Sequence, residues 1–368
     1  MDAFIKKTDQ LCSSLEKRTG LVAASFILAT IILLLDLLYI TPKFEAAYHG
    51  LQYALLSNNP FDFATPNPLR YRILPSLIGY VTGLRGDLFF MVPLIFAFLF
   101  IASMYWVYRK KGYSTVDALL FTGFTSFSCT LFIQLAAPGY TDVVFYFFMF
   151  LAFASVQRIA LSALFFMLAL LTHESCLFLL PGLILYATYV NSDKKLAFIQ
   201  YTFAYLLALV PLLLYRYWVK SHAPVEYDLD FYFSVKNIEF SLSKVLPLFP
   251  AGAFYAFKLF WFFPVYALYI SFRSKDYRFA LILISILVCD ALQLVIAFDI
   301  TRMLCLGFPA ILIAAEKTRS TWGSAKFTRF AFILTILNFF IIQYFMTCDG
   351  IVPMLPAPYT FILDHIFI

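Results

Sequence analysis

Ionisable side chains that could hold a phosphate or take a proton stand beside apolar runs along this chain: Asp36, Glu45, Arg70, Arg72, Asp142, His173, Glu174, Asp299 and Arg302. A carboxylate near a hydroxyl can act as general base, and guanidinium groups grip and neutralise a leaving phosphate bidentately. The spacings add detail: Glu45 and His49 are i, i+4, Asp299 and Arg302 are i, i+3, and Arg70 and Arg72 flank one tyrosine in Asn-Pro-Leu-Arg-Tyr-Arg. Most of these residues also have a plainer reading. Asp142 follows Pro138-Gly-Tyr-Thr141 and suits a helix's first turn, where the dipole favours an acid, and Glu174 could serve in the same way. Asp299 and Arg302 could pair only with each other. Asp36 could pair with a neighbouring helix, and the two arginines could bind ordinary anionic headgroups.

The elements that must position these residues are membrane spans. The composition is 62% apolar, 20% aromatic and 13% charged, against the roughly 25% charge expected of a soluble domain. Mean hydropathy is +0.85. A net charge of +6 with no Lys/Arg-rich run leaves no basis for nucleic-acid binding. Cysteines at 12, 129, 176, 289, 305 and 348 include no CxxC spacing and read as small apolar packing residues, neither a disulfide framework nor a metal site. The first twenty residues are too polar for a signal-peptide start and no cleavage site follows, so the first span is expected to remain as an anchor.

Runs near 20 residues bounded by polar punctuation give about eleven spans, with a range of ten to twelve. They fall at 20–41, 88–108, 114–134, 140–157, 159–172, 175–190, 196–217, 250–272, 278–297, 300–315 and 329–347. The expected fold is therefore an all-α polytopic membrane protein, a single transmembrane domain over 1–368. Polar segments remain at 42–87 and 218–249, with a tail at 348–368. Residues 73–84 are apolar but short, which suits an interfacial helix. If they do not cross, 17 of the 27 basic residues face the cytoplasm together with the amino terminus, as the positive-inside rule expects, and 14 of the 21 acids lie on or near the outer face.

Within 42–87, Phe44, Ala47, Tyr48, Leu51 and Leu55 follow helical spacing, so 43–57 is expected as a surface helix with Glu45 and His49 on its wetter side. A second juxtamembrane helix begins after Arg72. Tyr227, Phe231, Tyr232 and Phe233 in 218–249 are candidates to line a lipid or acceptor path, or an interfacial aromatic belt. The tail reads as re-entrant or interfacial, since three prolines in DGIVPMLPAP disfavour another crossing.

Glu45-Ala-Ala-Tyr48 after the first span, Arg70-Tyr-Arg72-Ile-Leu-Pro75, Gly-Tyr-Thr-Asp142, Leu-Leu-Thr172-His173-Glu174 and Phe298-Asp299-Ile-Thr-Arg302 occur in this order across most of 20–315. The layout resembles the GT-C membrane glycosyltransferases of bacterial type, which use a polyprenyl-phosphate-linked sugar as donor. Glu45 stands where many relatives carry Asp and His173 where many carry Lys or Arg, and no large soluble outer domain follows the spans.

The resemblance implies a GT-C-like fold in the bacterial cytoplasmic (inner) membrane with its site on the outer, periplasmic side. It implies transfer of sugar to a glycan, lipid or protein acceptor of the cell envelope. Glu45 would be the general base, with Asp36 second. Arg70, Arg72, Arg302 and His173 would contact the donor phosphate, while Tyr48, His49, Asp142, Glu174 and Asp299 would orient groups or bind sugar. No cofactor follows, and a divalent metal is left open. The alternatives are a transporter or flippase of a lipid-linked or anionic solute, and a non-catalytic subunit of an envelope polymer assembly. Membrane acyltransfer ranks lower because the four histidines have no distinctive surrounding motif.

Overall fold

Apolar runs punctuated by capping residues become helices along nearly the whole chain. The computed structural model describes residues 1–40, 49–64, 67–223, 229–347 and 350–354. The polar helix α1 (Asp2–Thr19) breaks at Gly20, which has φ 82°, and the apolar α2 (Leu21–Tyr39) follows. After these come α3 (His49–Asn58), α4 (Ile73–Thr82) and α5 (Met91–Lys110). Ser114 caps α6 (Thr115–Ser126) and Ser128 caps α7 (Cys129–Ala136); the two helices bend by 55° at their junction. The middle of the chain is α8 (Asp142–Ala154), α9 (Ile159–Thr172), α10 (Cys176–Val190) and α11 (Lys194–His222). Then follow α12 (Leu229–Tyr232), α13 (Val235–Phe257), α14 (Phe262–Arg273) and α15 (Tyr277–Leu292). Next are α16 (Ile300–Leu304), α17 (Phe308–Trp322) and α18 (Ser324–Phe340). Strands β1 (Gln343–Thr347) and β2 (Gly350–Met354) close the described chain as an antiparallel hairpin, with Gln343 opposite Met354 and Thr347 opposite Gly350.

Among the described residues, four helical runs are long and apolar enough to cross a bilayer: Gly86–Lys110, Lys194–His222, Val235–Arg273 and Tyr277–Val295. The bent pair α6 and α7, taken as one span, makes a fifth. The protein is thus mostly helical and membrane-embedded, with lipid-facing residues such as Phe203, Leu207, Leu214 and Val265 exposed on the outside of the bundle. Helices α8, α9 and α10 hold 13, 14 and 15 residues. At 1.5 Å per residue each is roughly 20–23 Å long, short of the roughly 30 Å of hydrocarbon. α11, with 29 residues, is about 44 Å long and stands beside them. One end of each short helix is consequently set back within the bundle, and those ends carry Asp142, His173 and Glu174.

Several expectations change. The segment 218–249 is not a polar loop: α11 extends to His222, and α13 begins at Val235, where the Ser234 hydroxyl accepts from Asn237 N–H. The last span, expected over 329–347, ends as a helix at Phe340, so the fold is not wholly α. The hairpin packs inward, Met346 N–H donating to Thr301 Oγ1 at 2.9 Å. α1 is a helix that hydropathy alone did not suggest, since its apolar residues are scattered among charges. The helix expected over 43–57 is described only from His49. It buries Tyr53, Ala54 and Leu56 and exposes Leu51 and Leu55. α4 has ten residues, roughly 15 Å, too short to cross.

Candidate functional site

Asp142 opens α8 and Arg302 lies in α16, 160 residues later, yet they meet as a forked ion pair. Arg302 Nε donates to Asp142 Oδ2 at 2.8 Å and Nη2 to Oδ1 at 3.2 Å. Arg302 Nη1 also reaches Asp299 Oδ2 at 3.0 Å. The expected i, i+3 pair therefore exists, but the same arginine ties two distant helices together. Its guanidinium lies 4.6 Å over the Tyr140 ring, and Gln134 donates to Asp142 Oδ2 at 3.4 Å. The Asp142 and Arg302 side chains are only 1% and 7% exposed. Charges so far from water persist because each has a geometrically matched partner.

A second, more open layer sits beside the first. Arg72 Nε and Nη2 donate to Glu174 Oε2 and Oε1 at 3.1 and 2.9 Å. Arg216, on α11, brings Nη2 to 3.8 Å from Glu174 Oε2 and stacks 4.7 Å over the Tyr71 ring. Burial would raise the Glu174 carboxyl, but the Arg72 guanidinium outweighs it and holds the group well below the usual carboxylate range. His173 connects the layers, with Nε2 4.0 Å from Asp142 Oδ1 and Nδ1 accepting from Ser175 N–H. Burial first, and the Arg72 charge second, push its pKa down to about 3. A neutral imidazole there can offer a hydrogen bond and no charge.

The first outer segment reaches the same place through α3. Gly50 lets that helix lie against the turn before α8, where a Cβ would come within 2.6 Å of the Pro138 carbonyl oxygen. His49 is brought edge-on to Tyr140, with ring centroids 5.6 Å apart. Burial, then the charges of Arg302 and Arg72, lower its pKa. Tyr232 is also close enough for Arg72 to feel its hydroxyl.

Other candidates stand elsewhere. Arg70 is buried away from the cluster, donating to the Asp62 carbonyl at 2.6 Å and lying 5.1 Å over Phe63. Asp36 is also not brought in: it is buried in α2, neither carboxylate oxygen has a hydrogen-bond partner among the described residues, and the charge of Lys258 acts on it. Glu45, Tyr48 and Tyr227 lie outside the described residues. The carboxylates of the cluster are all engaged by arginines. Cavities also lie at the opposite end of the bundle, one beside Lys111 and Glu316, another beneath α1. Among the described residues no three His, Cys, Asp or Glu side chains are placed to hold a metal ion together.

Arg216, Tyr140 and Gln134 were not singled out from the sequence. Arg216 ends a long apolar run and reads as an interfacial cation. Tyr140 sits inside the Gly-Tyr-Thr-Asp142 run and offered the best signal. Comparison with known proteins adds no relative to this geometry: no protein-family model matches the chain, no curated protein is significantly similar to it, and no solved structure matches it.

Proposed function

We propose that this chain is an integral membrane glycosyltransferase of GT-C type, crossing the membrane about eleven times from a cytoplasmic amino terminus. It moves sugar from a polyprenyl-phosphate donor to an envelope glycan, lipid or protein at the outer face. The observation that carries this reading is the meeting of Arg72, Asp142, Glu174, Asp299 and Arg302, from four separated stretches of sequence, at one end of the helices. The beginnings of α8 and α10 converge there too, and helix dipoles at those ends favour an anion. Guanidinium groups at the lipid boundary neutralise the leaving polyprenyl phosphate as the glycosidic bond breaks. Glu45, four residues ahead of His49, removes the acceptor's proton.

The test is transfer from polyprenyl-phosphate sugars by purified protein in nanodiscs. Glu45→Gln should cut turnover by roughly 100-fold or more, the usual contribution of a general base. Wild-type protein that consumes no lipid-linked donor, or a Glu45→Gln variant with full activity, sinks the reading. One observation favours a transporter or flippase instead: buried Asp36 and Lys258, ionisable groups inside the helices, are the kind of pair that couples ion movement to transport. Reconstituted into sealed vesicles, a flippase would move the donor across intact and leave its sugar attached.

A further inference from the structure

The two layers of the charged cluster differ in what a ligand can reach. Asp142 and Arg302 are sealed, whereas the Arg72, Glu174 and Arg216 side chains are 14%, 28% and 21% exposed. Arg72 spends its fork on Glu174. Arg216 does not: its nearest carboxylate oxygen is 3.8 Å away, and its Nε is buried without a hydrogen-bond partner among the described residues. Two guanidinium groups therefore face one carboxylate, with donor capacity left over.

From this arrangement we infer that Arg72 and Arg216 form a seat for the phosphate of a lipid monophosphate, and that Glu174 fills the seat until the ligand displaces it. A phosphate monoester carries about −1.5 to −2 charge and three acceptor oxygens, so it satisfies both guanidiniums better than one carboxylate does. Tyr71 beneath Arg216 fixes the plane of its guanidinium, and the Tyr215 hydroxyl, which donates to the Arg70 carbonyl at 3.0 Å, holds that turn of α11 against the segment bearing Arg72. Identification of the lipid monophosphate as the polyprenyl phosphate left behind when the sugar is transferred rests on the function proposed above; the seat itself rests on the geometry. Glu174 is thus a competitor for the site, and removing its charge should strengthen ligand binding.

The experiment is equilibrium binding of farnesyl phosphate to purified full-length protein, read by the fluorescence of Trp218, which packs on Phe63 and lies two residues from Arg216. Relative to wild type, Arg216→Gln should weaken binding roughly tenfold and Glu174→Gln should tighten it roughly tenfold, the scale of one charge-assisted hydrogen bond. Thermal melting checks that each variant folds. If Arg216→Gln does not fold, Arg216→Lys, which keeps the charge and loses the fork, should still bind several-fold more weakly. Parallel titrations use inorganic phosphate and nanodiscs of phosphatidylglycerol against phosphatidylcholine. The arm in which both variants shift affinity as stated identifies whether the seat takes a prenyl phosphate, a bulk lipid headgroup or free phosphate. Unchanged affinity in every arm, or weaker binding by Glu174→Gln, overturns the seat. Because binding is read without turnover, a protein that binds but transfers nothing refutes the glycosyltransferase and leaves the seat standing. Sugar transfer insensitive to both variants does the reverse.

Discussion

Asp142 and Arg302 depend on each other because neither can reach water. Removing one partner strands the other charge, at a typical cost of about 3–5 kcal/mol, whereas removing both can be far less damaging. Asp142→Asn and Arg302→Gln should each lower stability by that amount, and the double variant should lose clearly less than their sum. Unfolding of the four proteins in one detergent measures the coupling, and additive losses would show that the ion pair holds nothing together. The residues themselves stood out in the sequence, since a charge inside an apolar run is conspicuous. Their pairing was not legible: Asp299 at i−3 is the obvious partner for Arg302, and the stronger contact comes from 160 residues away. Arg216 escaped for the opposite reason, because a cation at the end of an apolar helix is ordinary.

At the scale of helices and strands, hydropathy located the apolar runs well, but it could not find where helices break without proline or glycine. The bend between α6 and α7 falls at Phe127-Ser128, and the run from α13 to α14 tightens at Lys258–Trp261. Each irregularity frees backbone groups that lipid cannot satisfy. One side chain from α18 repairs both: Asn338 Nδ2 donates to the Phe127 carbonyl at 2.8 Å, and Asn338 Oδ1 accepts from Leu259 N–H at 2.8 Å. Asn338 is fully buried. An Asn338→Leu substitution keeps the volume and orphans two backbone groups, each costing about 1–3 kcal/mol. The variant should melt well below wild type, while Asn338→Gln, which keeps both functions on a longer stem, should recover part of the loss. A leucine variant as stable as wild type would mean that those groups find other partners. The hairpin of β1 and β2 was illegible for a related reason: Gln343–Thr347 is largely apolar and continues a helical run, and what distinguishes it is tertiary, its pairing with β2 and its contacts with Thr301 and Tyr255.

Across the whole molecule, the ion pairs among the described residues divide into two sets that never mix. One set joins Asp2 to Arg329, Glu16 to Arg109, Lys111 to Glu316, Asp117 to Arg319 and Asp276 to Lys317. The other joins Arg72 and Arg216 to Glu174, and Arg302 to Asp142 and Asp299. Every member of the first set belongs to a segment that charge bias assigns to the cytoplasm, and every member of the second to one assigned outside. A crossing by residues 73–84 would move Arg109 and Lys111 to the opposite face from Glu16, to which Arg109 is bound at 2.7 Å. The alternation predicts a labelling pattern. Lys195→Cys, Arg273→Cys and Lys326→Cys should be protected from a membrane-impermeant maleimide in sealed right-side-out vesicles and should react once the vesicles are opened. Asp87→Cys and Ser221→Cys should react from the start. All five positions are exposed, so burial does not explain protection. If Asp87→Cys and Lys195→Cys behaved alike, the number of crossings between them would be even rather than the odd number read here, and the carboxylates would lose the common outer face on which the proposed chemistry depends.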